Sequence, residues 1–142
     1  MLILAALAMA EAMGKITVTV NNVRNNRGQV YVEICPQNRF LKENCPYHAT
    51  APAHAGSTVV TIENVPAGQY AAQGYHDENK NNDLDQGLFG IPKEGLGFSR
   101  DARIGLGPPK WKDAVFVHTG TAEAIHFSLR YFMGAKGPAP RR

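Results

Sequence analysis

The strongest constraint on this chain is a hydrophobic period of two. Ile16, Val18 and Val20 alternate with Thr17 and Thr19, and Val30, Val32 and Ile34 alternate with Tyr31 and Glu33. Near the C-terminus Ile125, Phe127, Leu129 and Tyr131 alternate with His126, Ser128 and Arg130. Successive side chains of a strand point to opposite faces, so each run turns one apolar face to a core and one polar face to water. Residues 57–63, 69–76 and 113–118 are further strand candidates. Asn25-Asn26-Arg27-Gly28 and Val65-Pro66-Ala67-Gly68 carry the turn chemistry that joins such strands into hairpins. No segment after residue 15 has the pattern of an amphipathic helix of ten residues or more, and a short helical turn is expected within 37–43. With 142 residues there is chain for one domain and one core. The pattern therefore predicts an all-β fold, an antiparallel β-sandwich of about seven strands of the immunoglobulin-like kind over residues 16–133. Residues 77–112 break the rhythm but keep many apolar anchors. They are expected to form one long ordered loop folded over the end of the sandwich.

The two ends read differently from the body. Residues 1–10 are almost entirely apolar and close on Ala8-Met9-Ala10, the small-residue pattern of a signal-peptide cleavage site, although no Lys or Arg precedes them. The expectation is an export signal lacking its basic start, against the alternative of a frayed apolar terminus; the protein is then periplasmic or secreted. Residues 134–142 (GAKGPAPRR) have the composition of a disordered basic tail. The tail's Lys136, Arg141 and Arg142 account for the whole formal charge of +3. A basic face for nucleic acid is therefore not expected, and no apolar run reaches the ~20 residues of a transmembrane helix.

Cys35 and Cys45 are the only cysteines. In an exported protein their spacing reads as a local disulfide, whose closure of about 11 residues contributes roughly 3 kcal/mol in the chain-entropy picture. The alternative is a thiol nucleophile or metal ligand, although there is no CxxC and no adjacent base.

The densest polar chemistry runs from His76 to Asp85. Oxygen-bearing side chains fall at every second position, Asp77, Asn79, Asn81, Asp83 and Asp85, the alternation by which calcium loops turn successive oxygens toward one centre. Leu88 stands where an EF-hand carries its bidentate Glu, and no helix pattern flanks the loop, so this is not an EF-hand. A hard cation needs six to eight oxygens, so a further ligand is required, and Glu94 or Asp101 is positioned in sequence to return to the loop. The expected cofactor is Ca²⁺, bound with a Kd on the order of 10⁻⁴ to 10⁻³ M as in extracellular modules. The competing reading is an Asx-rich turn capped by its own side chains.

The run VPAGQYAAQGYHDENKNNDLDQGLFGIPKEGLGFS, residues 65–99, resembles the bacterial family called domain of unknown function 2141. Its marks are PAGxYA at Pro66 to Ala71, HDxNxNxxLD at His76 to Asp85, and FGxPxEGxGFS at Phe89 to Ser99. The likeness continues through Gly107-Pro108-Pro109-Lys110-Trp111 and Asp113-Ala114-Val115-Phe116 as far as Tyr131. Asn82 departs from it, where the family often has Gly. The resemblance implies export and a sandwich akin to transthyretin-like or carboxypeptidase-regulatory domains, and it supplies no established activity.

Catalytic signatures are weak. No nucleophile elbow or dinucleotide fingerprint stands in its required setting, and His48, His54, His118 and His126 read as ordinary surface histidines. His76, beside Asp77, is the exception, since a carboxylate neighbour can fix an imidazole tautomer. No catalytic residue is assigned. Phe89, Phe98 and Trp111, with His76, are candidates for a ligand-binding surface, or else pin the loop to the sandwich. The functional expectation is a calcium-stabilised binding or structural module of the bacterial envelope, with an envelope protein or glycan as partner. The alternative is a small-molecule hydrolase of transthyretin-like fold using His76.

Overall fold

A computed structural model of the chain describes residues 12–42, 44–79, 94–105 and 107–140. Its strands are β1 (Met13–Val23), β2 (Gln29–Cys35), β3 (Tyr47–Pro52), β4 (Gly56–Pro66), β5 (Gly68–Asp77), β6 (Leu96–Phe98), β7 (Phe116–His118) and β8 (Glu123–Ser128). One sheet has the order β4-β1-β8. The other has the order β3-β2-β5-β6, with β7 also pairing β5. The ladders are antiparallel except that β1 and β8 run parallel, Ile16 opposite Glu123 through Asn21 opposite Ser128. The fold is thus an all-β sandwich dominated by antiparallel pairing. No helix among the described residues is long and apolar enough to cross a membrane.

The core follows from the alternation. Ile16, Val18 and Val20 of β1, Val30, Val32 and Ile34 of β2, Val60 and Ile62 of β4, and Phe127 of β8 are buried between the sheets. Full burial of such a side chain is worth about 1.5–3 kcal/mol each. The apolar alternation of β8 outlives its ladder. Leu129 donates its N–H to Asn21 of β1, whereas Arg130 exchanges both backbone bonds with Leu96 of β6. The chain crosses here from one sheet to the other, and Leu129 and Tyr131 continue the buried face.

Two strands were not expected. The inward positions of β3 are Tyr47, Ala49 and Ala51, which are only half-buried at a sheet edge, so its apolar signal is weak. The three residues of β6 lie within the long aperiodic stretch and pair with Gln73–Tyr75 of β5. The candidate strand at 113–118 starts late. Trp111–Ala114 form a single helical turn, α1, closed by the Val115 N–H on the Trp111 carbonyl at 2.9 Å. The turn expected within 37–43 is a 3₁₀ turn at Gln37–Arg39.

The long stretch returns to the sandwich through a second apolar cluster, on the outer face of the larger sheet. Phe98, Ala102 and Ala114 pack there with Phe40 and Ala71, flanked by Leu96, Ile104 and Trp111. Phe40 meets Phe98 and Trp111 edge-on, with centroids 6.0 and 5.8 Å apart, the geometry aromatic quadrupoles favour. Cys35 and Cys45 are disulfide-bonded, with Cα atoms 5.1 Å apart, and the bridge closes the segment that carries Phe40 onto the end of β2.

Candidate functional site

The acidic loop leaves from the end of β5 and comes back at Glu94, so its chemistry is set by what holds those two stems. β5 points Tyr70, Ala72, Gly74 and His76 inward by alternation, which buries an imidazole completely at the strand's last inward position. Burial is tolerated because both ring nitrogens are engaged. Nε2 lies 2.6 Å from the Arg27 carbonyl and Nδ1 lies 2.9 Å from the Tyr131 hydroxyl. A carbonyl only accepts, so Nε2 carries the proton and donates to it. The Tyr131 hydroxyl then donates to Nδ1 while accepting the Arg24 backbone N–H at 2.9 Å. This pattern is complete for a neutral imidazole, and burial holds the His76 pKa below its ordinary 6.5. The same burial pushes the Tyr131 phenol up to about 12.

Asp77, next along, is wholly buried and accepts a 3.0 Å hydrogen bond from the Gln29 side-chain amide. Gly28, in the turn before Gln29, has φ 71°, and a Cβ there would stand 2.0 Å from the Asp77 carbonyl oxygen. Only glycine fits this turn, for both reasons. Glu78 receives Arg24 Nε at 2.5 Å on Oε1 and donates its own backbone N–H to Glu94 Oε2 at 2.5 Å. Glu94 is 4% exposed. The Gly95 carbonyl accepts the His76 N–H at 2.9 Å, which ties the two stems by backbone as well. Two buried carboxylates, Asp77 and Glu94, therefore stand at the two feet of the loop.

Of the expected ligands, Asp77 and Glu94 are placed at this base and Asn79 follows as an exposed residue. Asn81, Asp83 and Asp85 lie outside the described residues, as do Phe89 and the apolar segment 1–10. Asp101, the other candidate, accepts the Ser128 N–H on its Oδ1 at 2.7 Å. Phe98, 4% exposed, belongs to the second cluster with the half-buried Trp111, so these rings pin the returning chain to the sheet. Among the described residues, Glu33, Cys35 and Cys45 bring donor atoms within 4.8 Å of one another. The two sulfurs are bonded to each other, which leaves one carboxylate and no metal-ligand set.

A hydrolase using His76 requires the imidazole to face a concave pocket. The ring is 0% exposed and both nitrogens are taken. The cleft of about 550 Å³ at this junction is lined by Arg24, Asn25, Arg27, Glu78 and, from the C-terminal segment, Gly134, Ala135 and residues 137–140, and does not include His76. His118 also departs from expectation, being buried rather than on the surface. Its Nε2 faces the Val65 carbonyl and its Nδ1 faces Glu123 Oε1, each at 2.9 Å. Its inward position two residues after Phe116 was the available signal. Arg24, Arg27 and Tyr131 were not foreseen as site residues, because their partners lie far away in sequence with no local mark. Of the segment expected as a disordered tail, residues 134–140 are described, and the Ala135 and Lys136 carbonyls accept hydrogen bonds from Arg24 and Asn22, as the Met133 carbonyl just before them does from Arg24.

A family model described as an uncharacterized protein conserved in bacteria (DUF2141) matches residues 18–126. No curated protein matches the chain, and no solved structure does.

Proposed function

The chain belongs to that bacterial DUF2141 family, and from this premise we propose that it is an exported envelope domain whose acidic loop takes up Ca²⁺ and thereby serves as a binding or structural module. The observation that carries the reading is the return of Glu94. Its buried carboxylate reaches the first amide of the loop beside the equally buried Asp77, so hard oxygen donors come from both stems, as a cation needing six to eight oxygens requires. Asp77, Asn79, Asn81, Asp85 and Glu94 would supply side-chain oxygens and Asp83 its backbone carbonyl. The ion would offset carboxylate repulsion and order the loop as a platform for an envelope protein or glycan. Export is supported by the apolar start ending in Ala8-Met9-Ala10 and by the Cys35–Cys45 bond, since disulfides persist in oxidising compartments.

Thermal unfolding in EDTA and then in millimolar Ca²⁺ or Mg²⁺ tests the reading. A site with Kd near 10⁻⁴ M stabilises the native state by roughly 1–2 kcal/mol at a few millimolar ion, a shift of several degrees. Asp77→Ala and Asp85→Ala should remove the calcium-dependent part of that shift. Equal melting temperatures in EDTA and in both ions would refute the calcium site.

A further inference from the structure

Arg24 stands where the C-terminal segment meets the base of the acidic loop. Its Nε donates to Glu78, and its Nη1 donates to the carbonyls of Met133 at 2.6 Å and Ala135 at 3.2 Å. The guanidinium carbon lies 4.5 Å from the centroid of the Tyr131 ring, within cation–π range. Two residues earlier, Asn22 adopts φ 60°, a left-handed conformation that Asn tolerates better than most residues. Its side-chain amide donates to Leu129 at 2.9 Å and to Lys136 at 2.8 Å. A Cβ on Gly137 would lie 2.5 Å from Asn22 Oδ1, so the tail backbone passes close against β1. Glu78, gripped by Arg24 through its side chain, grips Glu94 through its N–H. A continuous chain of contacts thus runs from residues 133–136 through Arg24 and Glu78 to Glu94.

We infer that the segment from Met133 to Lys136 is a strap that holds the two stems of the acidic loop together, with Arg24 as the positioning residue through which it acts. The planar guanidinium fork has several donors in fixed directions. Carbonyls that engage Nη1 therefore orient Nε toward Glu78. Losing them removes two of the contacts that fix the guanidinium's orientation, so Glu78 is held less firmly and the Glu78–Glu94 link opens more often. Opening of this kind is local and need not involve the core. The strap's consequence for ion binding rests on the calcium reading; its effect on the stems does not.

Amide hydrogen exchange by NMR in EDTA separates the possibilities, comparing the full chain with a chain ending at Phe132. The Glu78 and His76 amides, which bond to Glu94 and Gly95, should exchange at least tenfold faster in the shortened chain. The amides of Val18 and Val32 in the core strands should stay within twofold. Arg24→Lys, which keeps the charge but loses the fork, should reproduce the effect in the full-length chain. Unchanged protection at Glu78 overturns the inference. So does a uniform loss across all strands, which would make the segment an ordinary contributor to global stability. Calcium titration of the same two chains is the second arm, with a several-fold weaker midpoint expected in the shortened chain. If the intact chain shows no calcium response, the calcium reading fails while the exchange result still decides the strap.

Discussion

Replacing Tyr131 by Phe isolates the hydrogen-bond junction beneath the acidic loop, because it removes one oxygen and keeps the ring. That oxygen donates to Nδ1 of the fully buried His76 and accepts the N–H of Arg24. Its loss strands a buried acceptor and a half-buried donor. A buried unsatisfied group costs about 1–3 kcal/mol, and the Arg24 amide, closer to solvent, sits at the low end of that range. The expected destabilisation is about 2–4 kcal/mol, with no cavity term because the ring remains. In a domain of this size that corresponds to a fall in melting temperature of roughly 8–15 °C. Urea unfolding followed by the fluorescence of Trp111, the single tryptophan, reads the change as a lower midpoint at constant slope. A second substitution, His76→Leu, should be non-additive with the first by about 1 kcal/mol or more, since both remove the same bond. A Tyr131→Phe cost below about 0.5 kcal/mol, or strict additivity, would refute the reasoning.

Three further outcomes follow from the same geometry. Because burial holds the folded-state pKa of His76 below the 6.5 of the free group, the unfolded chain binds the proton more tightly. Stability should therefore be full above pH 6.5 and decline as pH falls through that value toward the folded one; melting curves in EDTA between pH 5 and 8 should slope accordingly, and His76→Gln should flatten them. Burial alone would raise the Glu123 pKa, but the Thr119 N–H and hydroxyl and His118 outweigh it and hold the carboxyl below its ordinary 4.5. Glu123→Gln should thus cost about 1–2 kcal/mol at pH 7, a difference from wild type that urea unfolding should see shrink as pH is lowered through and below 4.5. Reduction of the Cys35–Cys45 bond should lower stability by about 3 kcal/mol, readable as the difference in urea midpoint with and without a phosphine reductant.

The strands legible from large β-branched or aromatic inward residues are β1, β2, β4 and β8; β5, whose inward residues after Tyr70 are Ala72, Gly74 and His76, was marked by the turn Val65-Pro66-Ala67-Gly68 that precedes it. β3 offers Ala49 and Ala51 to the interior, too little apolar contrast to register. β6 exists because Gly97 pairs with Gly74 of β5, a non-local fact. Period two says nothing of strand direction, so the parallel β1–β8 pair was invisible. The cysteine pair could be read from spacing, whereas at the site the sequence left Glu94 and Asp101 as alternatives for the residue that returns. The Arg24–Tyr131–His76 junction could not be read, because its members are brought together only by the closed sandwich.

The parallel ladder between β1 and β8 also sets an order of events. β1 leaves the ribosome well before β8, and Ile16 has to wait for Glu123, its partner far along the chain. Until residue 128 has emerged, β1 has one open hydrogen-bonding edge, and Phe127 is missing from the interior it fills. A nascent or truncated chain stopped before β8 is therefore a strand with an exposed apolar template, open to proteolysis and to pairing with another copy. Closure must wait for a contact of very long loop length, which places folding in the slow, millisecond-to-second regime of non-local β proteins. Whatever keeps such a chain apart from its neighbours has to act until β8 has been made.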